Sequence, residues 1–385
     1  MATAGGFQAG LLRDSQGDKA AAAAAGVPTC GLPMSHASPP TLAQRLLAAA
    51  TLRDSAWGPP GWRDVGRYQP YRFMKTLFVW EPRAVRTYAV PWLVVVGFSV
   101  LVTLVYKLAL SSAERAALND STAPYSAGYS LVLTVVGFLL VFRLNRAAIR
   151  FWDSRTAWGK LVEAGRLLAE QACVHCAHDM ALRDDIIRWT LAFVVGCKQL
   201  LHGTAMDANE LSGVLSAGEV RMMEAAKHMP LFASSAIRTS LLVALGPGEP
   251  IEAAIYRSSV RDAMERQVDL LVSLIGMMER IKSTPLPLVY VSHLRTSLLL
   301  YLLLMPVLFV ASWGWGTPAA LAAIGFFMLG VEGASTECES PFRKDHWNHL
   351  RMSSACALLF DNTQQILDAA EWHEQRGAAL RAAAA

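Results

Sequence analysis

Charge is scarce in this sequence. Only 17% of its 385 residues are Asp, Glu, Lys or Arg, while 53% are apolar. A soluble domain normally carries about a quarter of its residues as charges, so the shortage points toward a membrane. The formal net charge of +4 is too mild to mark a nucleic-acid binder. The 6 cysteines are scattered over the whole chain, which excludes a disulfide framework and implies a reducing compartment. The sequence also lacks a Gly-rich phosphate loop, a Ser-His-Asp arrangement and a His-Glu-x-x-His motif. Enzymatic chemistry therefore has no residue set to rest on. No strand-type alternation stands out either, which leaves an all-α chain.

Acids are few in residues 1–65, where "DKAAAAAAGV" and "GLPMSHASPPTLAQRLLAAATLR" are rich in Ala, Ser, Thr and Pro. Alanine runs, hydroxyl residues and scarce acids form the composition of an organelle transit peptide. A disordered Ala-rich tail is the alternative. Ser, Thr and Pro outweigh Arg, which favours a chloroplast over a mitochondrion.

Four segments have membrane character. "YAVPWLVVVGFSVLVTLVYKLAL" (88–110) is nearly charge-free and long enough to span the roughly 30 Å of hydrocarbon. "YSLVLTVVGFLLVF" (129–142) follows, then "LPLVYVSHLRTSLLLYLLLMPVLFVASW" (286–313) and the shorter "TPAALAAIGFFMLGV" (317–331). The "WGWG" turn between the last two places Trp313 and Trp315 like an interfacial belt. Basic residues orient the resulting hairpins. Arg67 to Arg86 precede the first span, Arg143 to Lys160 follow the second, Arg280 and Lys282 precede the third, and Arg343 and Lys344 follow the fourth. By the positive-inside rule both termini and the long middle lie on the cytosolic or stromal side. Residues 152–284 are soluble-like, with apolar positions returning every three and four residues. The expected architecture is an all-α membrane protein of four transmembrane helices with a cytosolic or stromal helical domain. Its divisions are 1–65 (transit peptide or disordered), 66–160 (pre-span helix and first two spans), 161–284 (helical domain), 285–332 (last two spans) and 333–385 (helical tail).

The second span ends unusually, in "FRLNRAAIRFWD" (142–153), where Arg143, Arg146 and Arg150 form a ladder. Arginines at the cytosolic end of a span fix topology, and on the ladder alone that reading comes first. A second ordinary reading pairs some of them with acids of the helical middle, and the functional reading is an electropositive vestibule beneath a hydrophobic constriction. Thr134, Phe138 and Phe142 recur every four residues on one stripe. Such a stripe packs a helix or, repeated around an axis, makes apolar rings; periodicity does not choose. "CVHCAH" (173–178) has no second half-site, so neither metal nor redox use is expected of it.

Three motifs carry a family resemblance. "FRLNRAAIRFWDSRTAWG" (142–159), "ERIKSTPLPLVY" (279–290) and "ECESPF" (337–342) occur in the order found in bestrophin-like anion channels. The matching positions include Phe142, Arg143, Asn145, Arg150, Glu279, Arg280, Pro285, Pro287, Glu339, Pro341 and Phe342, and the resemblance covers roughly residues 75–375. It implies a homopentamer around a central pore that conducts chloride, bicarbonate and other small anions across a lipid membrane. On that resemblance Thr134, Phe138 and Phe142 form the neck, and Met277 is the candidate for a lower constriction. Arg143, Asn145, Arg146 and Arg150 anchor the helix and bias its vestibule toward anions. Calcium-activated animal members continue after the last motif into acids, whereas Arg343 and Lys344 stand here. Calcium wants several carboxylate oxygens, so no calcium clasp and no other cofactor is expected. With the transit-like start, this implies a chloroplast thylakoid channel; another organelle or the plasma membrane is the alternative. A non-conducting membrane scaffold is the rival function. A secondary transporter predicts inverted repeats, which are not seen here.

Overall fold

The structure is a computed structural model that describes residues 40–57, 85–246, 251–344 and 349–384. Every regular element among them is helical, as the composition predicts. Two short helices come first, α1 (Leu42–Ala48) and α2 (Ala50–Trp57). α3 (Val85–Leu104) runs into a π-helical turn, Val105–Ala109, and α4 spans Ser112–His175. α5 (Met180–His202), α6 (Ala217–Ala225), α7 (Met229–Ala244) and α8 (Ile251–Ser283) make up the middle. α9 (Leu288–Trp313) and α10 (Thr317–Glu339) are joined by the turn Gly314–Gly316, and α11 (Met352–Ala384) ends the described chain.

By length and composition, three helical stretches suffice to cross a membrane: Val85–Ala109, Ser112–His175 and Leu288–Glu339. The last is the pair α9 and α10, broken at Gly314, whose φ of 53° suits a residue without Cβ. α4 is continuous for 64 residues, which at 1.5 Å per residue is about 95 Å. A bilayer accounts for about a third of that, so the remainder projects beyond it. The expected boundary at 160/161 therefore has no break in the backbone. Its start also differs from expectation. The second apolar segment begins at residue 129 in the sequence, but the helix begins earlier: Ser111 accepts from the Glu114 amide while Glu114 Oε2 accepts from the Ser111 amide at 2.7 Å. This reciprocal cap starts the helix, and Pro124 is accommodated within it.

Two hydrophobic cores follow from the two layers. In the apolar layer, Tyr88, Val95, Val136, Leu140, Leu298, Tyr301 and Leu321 pack together. The Tyr129 and Tyr301 rings stack at 4.4 Å, and the Tyr129 hydroxyl donates to the Tyr301 carbonyl. Gly325 lets α3 approach α10: a Cβ there would sit 3.2 Å from Trp92 Cδ1, whose ring donates through Nε1 to the Ala322 carbonyl at 2.8 Å. The second core surrounds α5, which is buried along most of its length, and includes the later part of α4 through Leu161 and Leu168. Inside it Lys198 and Glu210 form an ion pair at 2.5 Å with both side chains buried.

The expectation for residues 1–65 needs correction over residues 41–57. Leu42 and Leu46 are buried in the second core. Arg53, itself buried, donates to the carbonyls of Ser212 (2.9 Å) and Leu46 (2.5 Å) and lies over the Phe360 ring, which Trp57 meets edge-on. Gly213, at φ 77°, makes room for α1, since a Cβ there would lie 2.6 Å from the Arg45 carbonyl oxygen. Leu42 and Leu46 share one face of α1, and Arg53 and Trp57 one face of α2, so burial outweighs the Ala-rich composition. Residues 1–39 and 58–65 lie outside the described chain. If 41–57 belong to the core, Leu46→Ala should destabilise the detergent-solubilised protein by about 2–5 kcal/mol. Unchanged thermal unfolding of that variant would detach the segment from the core.

Candidate functional site

The second apolar helix, α4, has two contrasting faces. Val136, Leu140, Arg143 and Ala147 are buried against the other helices. Thr134, Phe138 and Phe142 are exposed, with the two rings 61% and 59% accessible. Asn145 and Arg146 continue on the exposed side one turn further along. Large apolar side chains this open on a membrane-crossing helix face lipid, another copy or a lumen.

The arginine ladder divides between these faces, and two of its members are structural. Arg143 is completely buried. Its Nε lies 3.3 Å from Glu332 Oε2 and its Nη2 lies 2.7 Å from Glu339 Oε2, both carboxylates coming from α10. Glu332 is shared: its Oε1 pairs with Arg295 Nε of α9 at 2.8 Å, and Arg295 also donates to Thr336 Oγ1. Glu339 accepts in turn from the Leu286 amide at 2.9 Å. Arg150 donates to three carbonyls, those of Ile281 (2.5 Å), Thr284 (2.7 Å) and Glu339 (3.4 Å). It thereby ties α4 to the end of α8 and to the end of α10. A guanidinium withdrawn from water needs such neutralisation, because desolvating it is expensive. The vestibule part of the expected role is corrected for Arg143, which has no access to solvent; the partly buried Arg150 ties helices together. Asn145 and Arg146 keep exposed side chains.

The remaining motif residues take up positions around the same joint. Pro287 caps α9, and with Pro285 it separates α9 from α8. Glu279 Oε2 lies 3.1 Å from His228 Nε2, and Arg280 is exposed. Pro341 and Phe342 are buried after α10, where the Leu350 amide donates to the Pro341 carbonyl at 2.9 Å. Met277 is half-buried against the helical-domain core. Cys173 and Cys176 are buried, and desolvation pushes both thiols up to about 11. Such thiols are poor ligands and nucleophiles at neutral pH.

Sequence reasoning missed Glu332. It stands at the end of an apolar segment, where an acid is rare and generally paired, and Arg295 in the preceding apolar segment was its available partner.

Comparison with known proteins bears on this geometry. A family model described as "Bacterial/Fungal Bestrophin protein" matches residues 64–365. A voltage-dependent anion channel-forming protein of Nostoc is 31% identical over 274 residues, covering 70% of this chain and 83% of the relative. A protein of the same description from Synechocystis is 30% identical over 306 residues, covering 77% and 92%. Voltage-dependent chloride channel 2, chloroplastic, of Arabidopsis thaliana is 25% identical over 247 residues, covering 63% and 56%. A solved bestrophin homologue from Klebsiella pneumoniae shares the fold, with a TM-score of 0.61 at 22% identity over 72% of this chain and 97% of that one.

The division of the ladder makes a direct prediction. Arg143→Ala removes the one guanidinium shared by Glu332 and Glu339, leaving the buried Glu332 with Arg295 alone, and should destabilise by about 3–5 kcal/mol. Arg146→Ala, on the exposed side, should stay within about 0.5 kcal/mol of the parent. Equal unfolding temperatures for the two variants would contradict it.

Proposed function

This chain belongs to the bestrophin family, and from that premise we propose that it is an anion-selective channel passing chloride and bicarbonate through the centre of a homopentamer. The observation that carries the reading is the exposed stripe of Thr134, Phe138 and Phe142 on a helix whose opposite face is locked into its own subunit. Copies arranged around an axis turn that stripe into successive apolar rings, which gate by dewetting. Aromatic ring edges carry partial positive charge, so an edge-on phenylalanine does not repel a passing anion. Asn145 and Arg146 then line the vestibule below, where a positive charge raises the local anion concentration. Arg143 serves it only as an anchor, while the partly exposed Arg150 both anchors α4 and adds to the vestibule. The accessible part of Met277 provides the lower constriction.

The membrane layer is proposed as four spans, with α9 and α10 as the last hairpin and the basic segments on the cytosolic or stromal side. The plastid relatives, together with the Ala- and Ser-rich first residues, support a chloroplast, and within it the thylakoid membrane. Calcium has no part in the proposal, because Arg343 and Lys344 follow Phe342 where a clasp would need carboxylates.

Reversal potentials of the reconstituted protein test the reading. A tenfold chloride gradient should move the reversal potential by close to 59 mV, about the ideal value for a monovalent ion. Replacing chloride by bicarbonate on one side should leave most of the current. Phe138→Ala, which widens the neck, should increase the current. No conductance from intact oligomer would favour the non-conducting scaffold.

A further inference from the structure

We infer that Glu332, which lies outside the proposed pore lining, is a positioning residue for the neck: it holds the turn of α4 that carries Phe142. The inference rests on the channel reading above. Arg143 follows Phe142 directly in the chain, so the placement of one fixes the other. Three helices meet at this point: α4 through Arg143, α9 through Arg295, and α10 through Glu332 and Glu339. The cluster is balanced, two guanidinia against two carboxylates, and Glu332 is the only one of the two acids paired with both arginines.

The two arginines differ in freedom. The Arg295 side chain is 48% exposed and has room to turn toward solvent, whereas the Arg143 side chain is 0% exposed. When Glu332 loses its charge, Arg295 escapes by a rotamer change. Arg143 has only Glu339 left and escapes only by moving its own backbone. The displacement therefore falls on α4, beside Phe142. In a low-dielectric surrounding such an imbalance is felt strongly. Glu339 remains tied to the Leu286 amide and so pulls Arg143 toward the joint between α8 and α9.

The test uses the full chain reconstituted as an oligomer, with Glu332→Gln, Glu332→Asp, Arg295→Gln and the double variant Glu332→Gln/Arg295→Gln. Two readouts are taken: the permeability of a large anion relative to chloride, and inter-copy distances between spin labels at Asn145→Cys. Glu332→Gln should change the permeability ratio severalfold and broaden the distance distribution. Glu332→Asp should retain both near the parent values, and the double variant should recover part of the loss because it restores charge balance. A Glu332→Gln protein that is merely less stable, with parental permeability ratio and label distances, would overturn the inference. Loss of current from every protein, the parent included, would sink the channel reading, while the label distances would still decide the role of Glu332. If Glu332→Gln does not assemble, Glu332→Asp and Arg295→Gln decide it. Where both singles assemble, a double variant that merely adds the effects of Glu332→Gln and Arg295→Gln would count against a shared network.

Discussion

A guanidinium with no access to water, at the level where apolar helices give way to a polar domain, constrains everything around it. Arg143 is tolerated there only because α10 supplies Glu332 and Glu339. That requirement fixes the rotation of α4 about its axis. With Arg143, Val136 and Leu140 turned inward, Thr134, Phe138 and Phe142 are left on the outer side. The stripe that looks functional is thus partly a consequence of where one buried charge is satisfied. A helix held so firmly from behind presents its exposed residues at defined positions, which a neck formed by several copies needs.

The second constraint is continuity. α4 begins at a reciprocal cap on Ser111 and Glu114, passes through the apolar layer and continues into the core around α5. A displacement of the helical domain is carried by the same rod that bears Phe142. Arg150 adds a cross-tie, bonding the carbonyls of Ile281 and Thr284 at the end of α8. α8 also carries Met277. The joint at Pro285 and Pro287, where the backbone cannot continue as one helix, is therefore held by side chains of α4 and α10.

Much of this was legible in the sequence because membrane helices write a strong signal. The helical class, the apolar segments and the helical middle follow from hydropathy and period. The ladder was visible but its division was not. Successive helical residues turn by about 100°, so Arg143 and Arg146 differ only modestly in facing, and nothing in the chain itself says which side is inward. Glu332 at the end of its apolar segment was the clue that would have decided it. The cap at Ser111 was concealed by a polar, proline-containing stretch that reads as a linker. Residues 41–57 were concealed by alanine, which suits a transit peptide and a helix equally. Their keys, Arg53 on the Ser212 carbonyl and Gly213 beneath Arg45, join positions far apart in sequence.

The central claim is that the stripe on α4 faces an aqueous path. A charged, water-soluble thiosulfonate applied during current recording tests it most directly. Single cysteines would replace Thr134, Phe138 and Phe142 and, as a reference, Leu133, which is also exposed but on another side of the helix. The account predicts that modification at the three stripe positions changes the current and modification at Leu133 does not. Current that responds at Leu133 while the three stripe positions stay silent would contradict it.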